Sequence, residues 1–422
     1  MSRGRHICLA LLVLLGLSLG AFARQFVGTD DGETWTVPAS LPGGLRFQVR
    51  VAPVLRAASS PWGRRLLDHT VWHTRTGVVS FSDQDNKLVM TCTECNLRLP
   101  EFSTVPVRLA LLSITMQRDG NRIGGWISAT DSNIEQRVFF DGELSDTALT
   151  VDWKLPRSEL SGLFGLFRAA IPEVRDATIR GHLSAIGTLR LPEKKWSAVP
   201  YLEGFEVHGL GTERLRHGTF KLICRDPRGM PEQRLAGDGT SGWIPLNRMG
   251  RWLPRAVLAT EDAHFFSHAG YDLAELLPLL ANAERSGRRG ASTITQQLAK
   301  NFYVGGDGVG ARKLRELLYA VEMERTLGKR RILTLYLNTV DWGPGLCGAA
   351  DAGRTYFGRA PARLSPVETA WLGGILRNPH RAYRNEFRTR RVEPERLGWV
   401  MAQLPDSFSR DRKVKWIPES IQ

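Results

Sequence analysis

Cysteine, histidine and acid are in short supply in this chain: five Cys, nine His, and 43 Asp and Glu against 57 Lys and Arg in 422 residues. Each shortage excludes something. Cys92 and Cys95 make one C-x-x-C pair, but no second pair and no histidine cluster completes a zinc site. Gly-Lys-Ser/Thr is absent, so the chain is no P-loop nucleotide-binding protein. No segment repeats at a fixed period, which argues against a solenoid. The deficit of acid leaves a net charge of +14 and a pI near 10.0. Such a chain is drawn to anionic partners: nucleic acid, acidic lipid head groups or phosphorylated substrates.

Long apolar runs are scarce too, and the one present narrows that choice. After the basic start "MSRGRH", residues Ile7 to Ala23 are uncharged and mostly apolar. At the rise of an α-helix the run is about 25 Å long, near the lower limit for crossing a bilayer. Ala21-Phe22-Ala23 also fits a small-residue cleavage site, so residues 1–24 read as a signal-anchor or a removed signal peptide. Either way the basic end stays inside and the rest of the chain leaves the cytoplasm. Nucleic acid is therefore not expected as a partner, and membrane phosphates are. In an exported chain Cys92, Cys95, Cys224 and Cys347 suit disulfides, local or long-range, better than redox catalysis.

From about 40 to 225 the sequence reads as strands. "LRFQVRV" alternates apolar Leu45, Phe47, Val49 and Val51 with polar residues, and Asp119-Gly120 stands between two strand-like runs as a hairpin signal. "SELSGLFGLFRAAIPEV" is a short apolar helix candidate ending before Pro172. At about 235 the texture changes: "RLAGDGTSG" is a glycine-rich break, and apolar spacing becomes helical beyond it, in "RWLPRAVLATEDAHFF", "LAELLPLLANAERSG", "RKLRELLYAVEMERTLG" and "RRILTLYLNTV". The expectation is a multidomain chain: an all-β domain over 25–235, a mainly α domain over 236–400, and a basic tail over 401–422.

Three segments of the α region concentrate chemistry. "EDAHFFSHAG", 261 to 270, holds two acids and two histidines; on a helix Glu261, Phe265 and His268 share one face, and His264 and His268 have the four-residue spacing of zinc ligands but lack a third. The bland alternative is a solvated helix start with acids at the positive end of the dipole. "GASTITQQLAKN", Gly290 to Asn301, offers backbone N–H groups, hydroxyls of Ser292 and Thr293, and the Lys300 ammonium to phosphate oxygens. In "RKLRE", Arg312 and Lys313 precede Glu316 by four and three residues, which on one helix alone reads as surface ion pairs.

Taken in order and spacing, the segments resemble the peptidoglycan glycosyltransferases, a lysozyme-like transglycosylase family. Its first motif matches Glu261, Asp262, Phe265, His268 and Gly270, its second is complete from Gly290 to Asn301, and its third matches Arg312, Lys313 and Glu316. "KRRILTLYLNTVDWGPGLCGAADAGRTYFG" and "LSPVETAWLGGILRNP" resemble the fourth and fifth. The resemblance spans about 243 to 385 and leaves out the β-rich region. No Ser-x-x-Lys and Lys-Thr-Gly set follows, so it points to a monofunctional polymerase without a transpeptidase.

The resemblance implies a reaction. A sugar 4-hydroxyl of one lipid-linked disaccharide-pentapeptide attacks the anomeric carbon of another, with inversion and release of undecaprenyl pyrophosphate. Glu261 would be the base and Glu316 the second acid. Asp262, Phe265, His268, Ser292, Thr293, Gln296, Gln297, Lys300, Asn301, Arg312 and Lys313 would bind substrate. A divalent cation, Mg²⁺ or Mn²⁺, is expected and no organic cofactor. Expected partners are lipid II, the growing glycan strand, the membrane and cell-wall synthesis proteins, with the catalytic domain on the periplasmic side of the cytoplasmic membrane. The β-rich domain would dock lipid or envelope partners. Two other readings remain open: a lysozyme-like hydrolase using two carboxylates, which leaves the cationic motifs unexplained, and an inactive envelope scaffold.

Overall fold

Along Ile134–Leu144 half-buried and exposed residues alternate without a break, the pattern of a strand with one face covered and the other in water. Strands of this kind dominate the first half of the chain. The computed structural model describes residues 27–28, 35–40, 46–100, 102–131, 134–273, 292–305 and 309–404. The apolar run Ile7 to Ala23, Gly290, most of "LAELLPLLANAERSG" and the tail from 405 lie outside them. Among the described residues no helix is long and apolar enough to cross a membrane. The chain forms two compact units, one of residues up to 99, 105–170 and 181–204, the other of 100–104, 171–180 and residues from 205 on.

The first unit opens with a small sheet of β1 (Val27–Gly28), β2 (Thr36–Ser40) and β3 (Arg46–Arg50), in the order β1-β3-β2. Two helices follow, α1 (Val51–Ser59) and α2 (Pro61–Leu67). They correct the expectation of an all-β domain: Val51, read as the end of a strand, opens α1. The signal for α2 was present, since Ser60 caps it by accepting from the Gly63 N–H at 3.0 Å and Pro61 occupies its first position.

A nine-stranded antiparallel meander comes next, each strand pairing with its neighbour in sequence. Its members are β4 (Val71–His73), β5 (Val78–Gln84), β6 (Lys87–Leu97), β7 (Val107–Asp119), β8 (Arg122–Asp131), β9 (Ile134–Leu144), β10 (Leu149–Glu159), β11 (Thr178–Leu191) and β12 (Lys195–His208). Tight turns set the register. Asp85 and Asn86, both with positive φ, link β5 to β6 as in a type I′ turn, and Gly120 at φ +57 opens the two-residue link between Asp119 and Arg122. Leu88, Met116, Ile123 and Val151 form a core on one face, joined by Ala58 and Leu67 from the two helices. Helix α3 (Leu160–Gly165) is shorter than the sequence suggested, and Pro172–Arg175 is a separate 3-10 turn. Cys92 and Cys95 are disulfide-bonded across Thr93 and Glu94, the latter with φ +51.

The second unit contains a hairpin of β13 (Thr219–Arg225) and β14 (Pro231–Gly237). The helices α4 (Trp252–Glu261), α5 (Ile294–Phe302) and α6 (Val309–Thr339) follow, α6 being broken at Gly328 with φ 73 and ψ 160. After the short strands β15 (Asp341–Gly343) and β16 (Leu346–Cys347) come α7 (Ala349–Phe357), α8 (Pro366–Ile375), α9 (Pro379–Ala382) and α10 (Pro394–Ala402). Leu253, Phe265, Leu298, Met323, Tyr336, Trp342 and Leu372 belong to one core.

The packed unit begins well before the glycine-rich break at 235. A disulfide joins Cys224 of β13 to Cys347 of β16. The carboxylate of Glu322, fully buried in α6, accepts from Leu210 N at 2.7 Å, Thr212 N at 3.1 Å and Thr212 Oγ1 at 2.8 Å. A fragment of 240–404 is therefore expected to unfold at a lower temperature than one of 205–404. Stranding a buried carboxylate costs about 3–5 kcal/mol, and losing a cross-link of this kind about 2–5 kcal/mol. Thermal unfolding followed by circular dichroism checks this; equal midpoints would refute it.

Candidate active site

Helix α4 ends at Glu261 because the next residue turns away. Asp262 leaves the helix at φ −165 and sends its carboxylate to the start of α5, where it accepts from Ile294 N at 2.9 Å. The same carboxylate meets His268 Nε2 at 2.8 Å. Gly270 N donates to His268 Nδ1 at 3.0 Å, so Nδ1 is the acceptor and Nε2 carries the proton toward Asp262. Gly270 itself needs φ +89, and a Cβ there would come within 2.7 Å of Glu324 Cγ. Its carbonyl accepts from Thr293 Oγ1 at 2.7 Å, which locks the first motif to the second.

This geometry corrects the helical picture of 261–270. Glu261, Phe265 and His268 share no helix face, because the backbone turns after 261. Phe265 is 1% exposed and belongs to the core, with Lys329 Nζ 4.4 Å from its ring centroid. His264 is exposed and forms no metal pair with His268; among the described residues no group of three or more His, Cys, Asp or Glu could hold a metal ion. Two expected ligands are also reassigned. Thr293 and Gln296 are buried and form the capping box of α5, so their side chains are committed to the helix start rather than to substrate.

Gln297, one turn into α5, reaches the carboxylate. Its Nε2 donates to Glu261 Oε2 at 3.0 Å and to Ser292 O at 3.3 Å, and its Oε1 accepts from Tyr336 Oη at 2.9 Å. Tyr336 is buried in α6, and burial, helped by the Glu261 and Asp262 charges, pushes its hydroxyl well above the usual tyrosine range. It stays a donor and thereby orients the amide with its NH₂ toward Glu261. Burial raises the Glu261 carboxyl above the ordinary range, and the Asp262 charge raises it further. The Gln297 hydrogen bond and the charge of Arg396, on α10, act in the opposite direction. Arg396 also lines a cavity of about 150 Å³ with Arg377 and Arg381.

The third motif lies in the first turns of α6. Lys313 Nζ is 2.6 Å from Ser292 Oγ and 2.6 Å from Glu316 Oε2, while Arg312 Nε is 3.6 Å from Glu316 Oε1. The surface-ion-pair reading does not hold, because the Glu316 side chain is 1% exposed and that of Lys313 12%. Contacts thus run from Glu261 through Gln297 and Ser292 to Lys313 and Glu316. Glu316 Oε1 has no hydrogen-bond partner. That oxygen is buried and 3.6 Å from Arg312 Nε, so a divalent ion would find at most one carboxylate oxygen here and would depend on waters and on the oxygens of a bound ligand. Lys300 and Asn301 are exposed three and four residues beyond Gln297, on its side of α5. Sequence reasoning did not single out Tyr336 and Lys329, although both stand in the fourth motif. Arg396 carried no signal, because only folding brings α10 to Glu261.

The Transglycosylase family model matches residues 230–404. A biosynthetic peptidoglycan transglycosylase of Nitrosomonas eutropha is 37% identical over 195 residues, 46% of this chain and 79% of that protein. One of Alcanivorax borkumensis is 39% identical over 170 residues, 40% of this chain and 69% of that protein. For one of Thiobacillus denitrificans the figures are 42% over 145 residues, 34% of this chain and 62% of that protein.

Asp262 carries the joint between the two motifs, so Asp262→Ala is expected to lower the unfolding free energy by about 3 kcal/mol, the worth of hydrogen bonds to one charged group. Asp262→Asn, which keeps an acceptor for Ile294 N, should cost less than half of that. Chemical denaturation decides; equal losses in the two variants would contradict the assignment.

Proposed function

This chain belongs to the biosynthetic peptidoglycan transglycosylase family, and on that premise we propose that it polymerises lipid II into β-1,4-linked glycan strands on the outer side of the cytoplasmic membrane. The observation that carries the proposal is one run of contacts: a half-buried carboxylate, Glu261, joined through Gln297 and Ser292 to the buried Lys313–Glu316 pair. A base and a fixed cation stand on one helical scaffold. All the site residues belong to the second unit. The first unit is accordingly given membrane or partner docking rather than chemistry.

In this mechanism Glu261 takes the proton of the acceptor sugar's 4-hydroxyl as that oxygen forms its bond to the donor's anomeric carbon. The bond from that carbon to the pyrophosphate breaks, and its electron pair leaves with undecaprenyl pyrophosphate. Attack from the opposite face turns an α-linked donor into a β-linked product, with no covalent intermediate. The leaving group needs no proton, but its charge needs a partner. Lys313 and Arg312 supply cations held beside Glu316 before the reaction begins, and the exposed Lys300 adds a further positive charge. A divalent cation, Mg²⁺ or Mn²⁺, would be held by Glu316 and would supply further charge stabilisation to the leaving group. A two-carboxylate hydrolase is disfavoured, since Glu316 is already committed to Lys313.

Purified protein with labelled lipid II tests the proposal. Glu261→Gln is expected to lower turnover by about 10²- to 10⁴-fold while leaving lipid II binding largely intact. Turnover at the wild-type level would reject Glu261 as the base, and release of reducing ends from finished polymer would favour the hydrolase.

The pH profile has a defined sign. The active form of Glu261 is the carboxylate, so the rate is full above its pKa and falls as pH drops through it. Because burial raises that pKa, the fall should begin above the ordinary carboxylate range. Arg396→Gln removes a charge that lowers it, so the acid limb should move to higher pH. A limb that stays in place or moves down would contradict this account.

A further inference from the structure

Helix α6 has a second face that the mechanism does not use. Arg312, Lys313 and Glu316 look toward Ser292, whereas Ala311, Arg315, Tyr319, Glu322 and Thr326 recur at helical spacing along the back. The lower part of this stripe is held by Glu322 and Thr326 on Thr212, and the middle by Tyr319 stacked on Tyr303 at 4.3 Å between centroids. The first turns are held by two segments of the second unit that come from far upstream in the chain, 100–104 and 171–180. Ala311 N donates to Phe102 O at 2.7 Å. The Phe102 ring lies so close to Gly310 that a Cβ there would come within 2.6 Å of it. Arg315 Nε meets Glu173 Oε1 at 2.7 Å, with side chains only 13% and 6% exposed. Both segments precede the 230–404 matched by the family model.

We propose that Phe102 and Glu173 are positioning residues for glycosyl transfer: they clamp the first turns of α6 from behind and thereby set Lys313 at the leaving-group side of the site. The proposal rests on the phosphate-stabilising role given to Lys313. The clamp joins backbone to backbone at 311 and ion to ion at 315, either side of Arg312 and Lys313, so these side chains cannot shift along or around the helix axis without breaking one of the two. A displacement of this cation by a fraction of an ångström weakens transition-state stabilisation more than ground-state binding.

The experiment is steady-state kinetics of the full-length protein on labelled lipid II for Glu173→Ala, Lys313→Ala and the double variant, with thermal midpoints measured alongside. Glu173→Ala should lower kcat on the order of ten-fold with KM little changed. In the Lys313→Ala background it should lower kcat no further, because its effect runs through that lysine. Losses that multiply in the double variant, or wild-type kcat in Glu173→Ala, would overturn the inference while leaving the site intact. Wild-type kcat in Lys313→Ala would overturn the reading of the site itself, and the inference with it. If Glu173→Ala does not accumulate as folded protein, the isosteric Glu173→Gln replaces it in the same comparison, and the same results support or overturn the clamp.

Discussion

One carboxylate organises the catalytic half of this protein. Asp262 accepts a backbone N–H from the first residue of α5 and faces the Nε2 of His268, so the end of one helix, the start of another and the loop between them converge on two oxygen atoms. Its side chain is only 5% exposed, and a charge so placed persists only when its hydrogen bonds are made. Because that condition is local and strict, Glu261 is held at a helix end, beside α5, instead of pointing into water. The glycine at 270, the capping box at 293 and 296, and the amide of Gln297 all take their positions from this joint.

A second constraint acts through α6. It presents a reactive face with Arg312, Lys313 and Glu316, and a back face on which Glu322 draws in Leu210 and Thr212. Buried ion pairs and buried carboxylates are poor sources of net stability, since desolvation offsets most of the attraction. They do penalise every arrangement in which a partner is missing. That penalty explains why the packed unit reaches back to 205, and at two places further, although texture and family likeness both suggest a later start.

The electrostatics follow from the same packing. Lys313 is held by Ser292 and Glu316, so in the proposed mechanism its orientation need not be established as the leaving group departs. Glu261 is poised differently: burial pushes its pKa up, while Gln297 and Arg396 keep the rise in check. A base with its pKa nearer neutrality than a free carboxylate accepts a hydroxyl proton more readily, provided it is still ionised.

Much of this was legible in the linear chain. Alternation at period two announced the strands of the sheet, Asp119-Gly120 its hairpin, and the ordered segments at 261–270, 290–301 and 312–316 the transglycosylase family and the residues to inspect, because periodicity and motif spacing are local properties of the sequence. Other features depended on contacts between residues far apart in it. Burial decided that Thr293 and Gln296 serve the helix rather than the substrate. The turn after Glu261 was hidden because its cause, the bond to Ile294 N, comes from 32 residues away. Arg396 near Glu261, Cys224 paired with Cys347, and Glu173 against Arg315 have no local signature at all. Local patterns determine which elements form and which chemistry they carry; which side chains meet is decided by the tertiary fold, since only there do buried charges find the partners that make their burial tolerable.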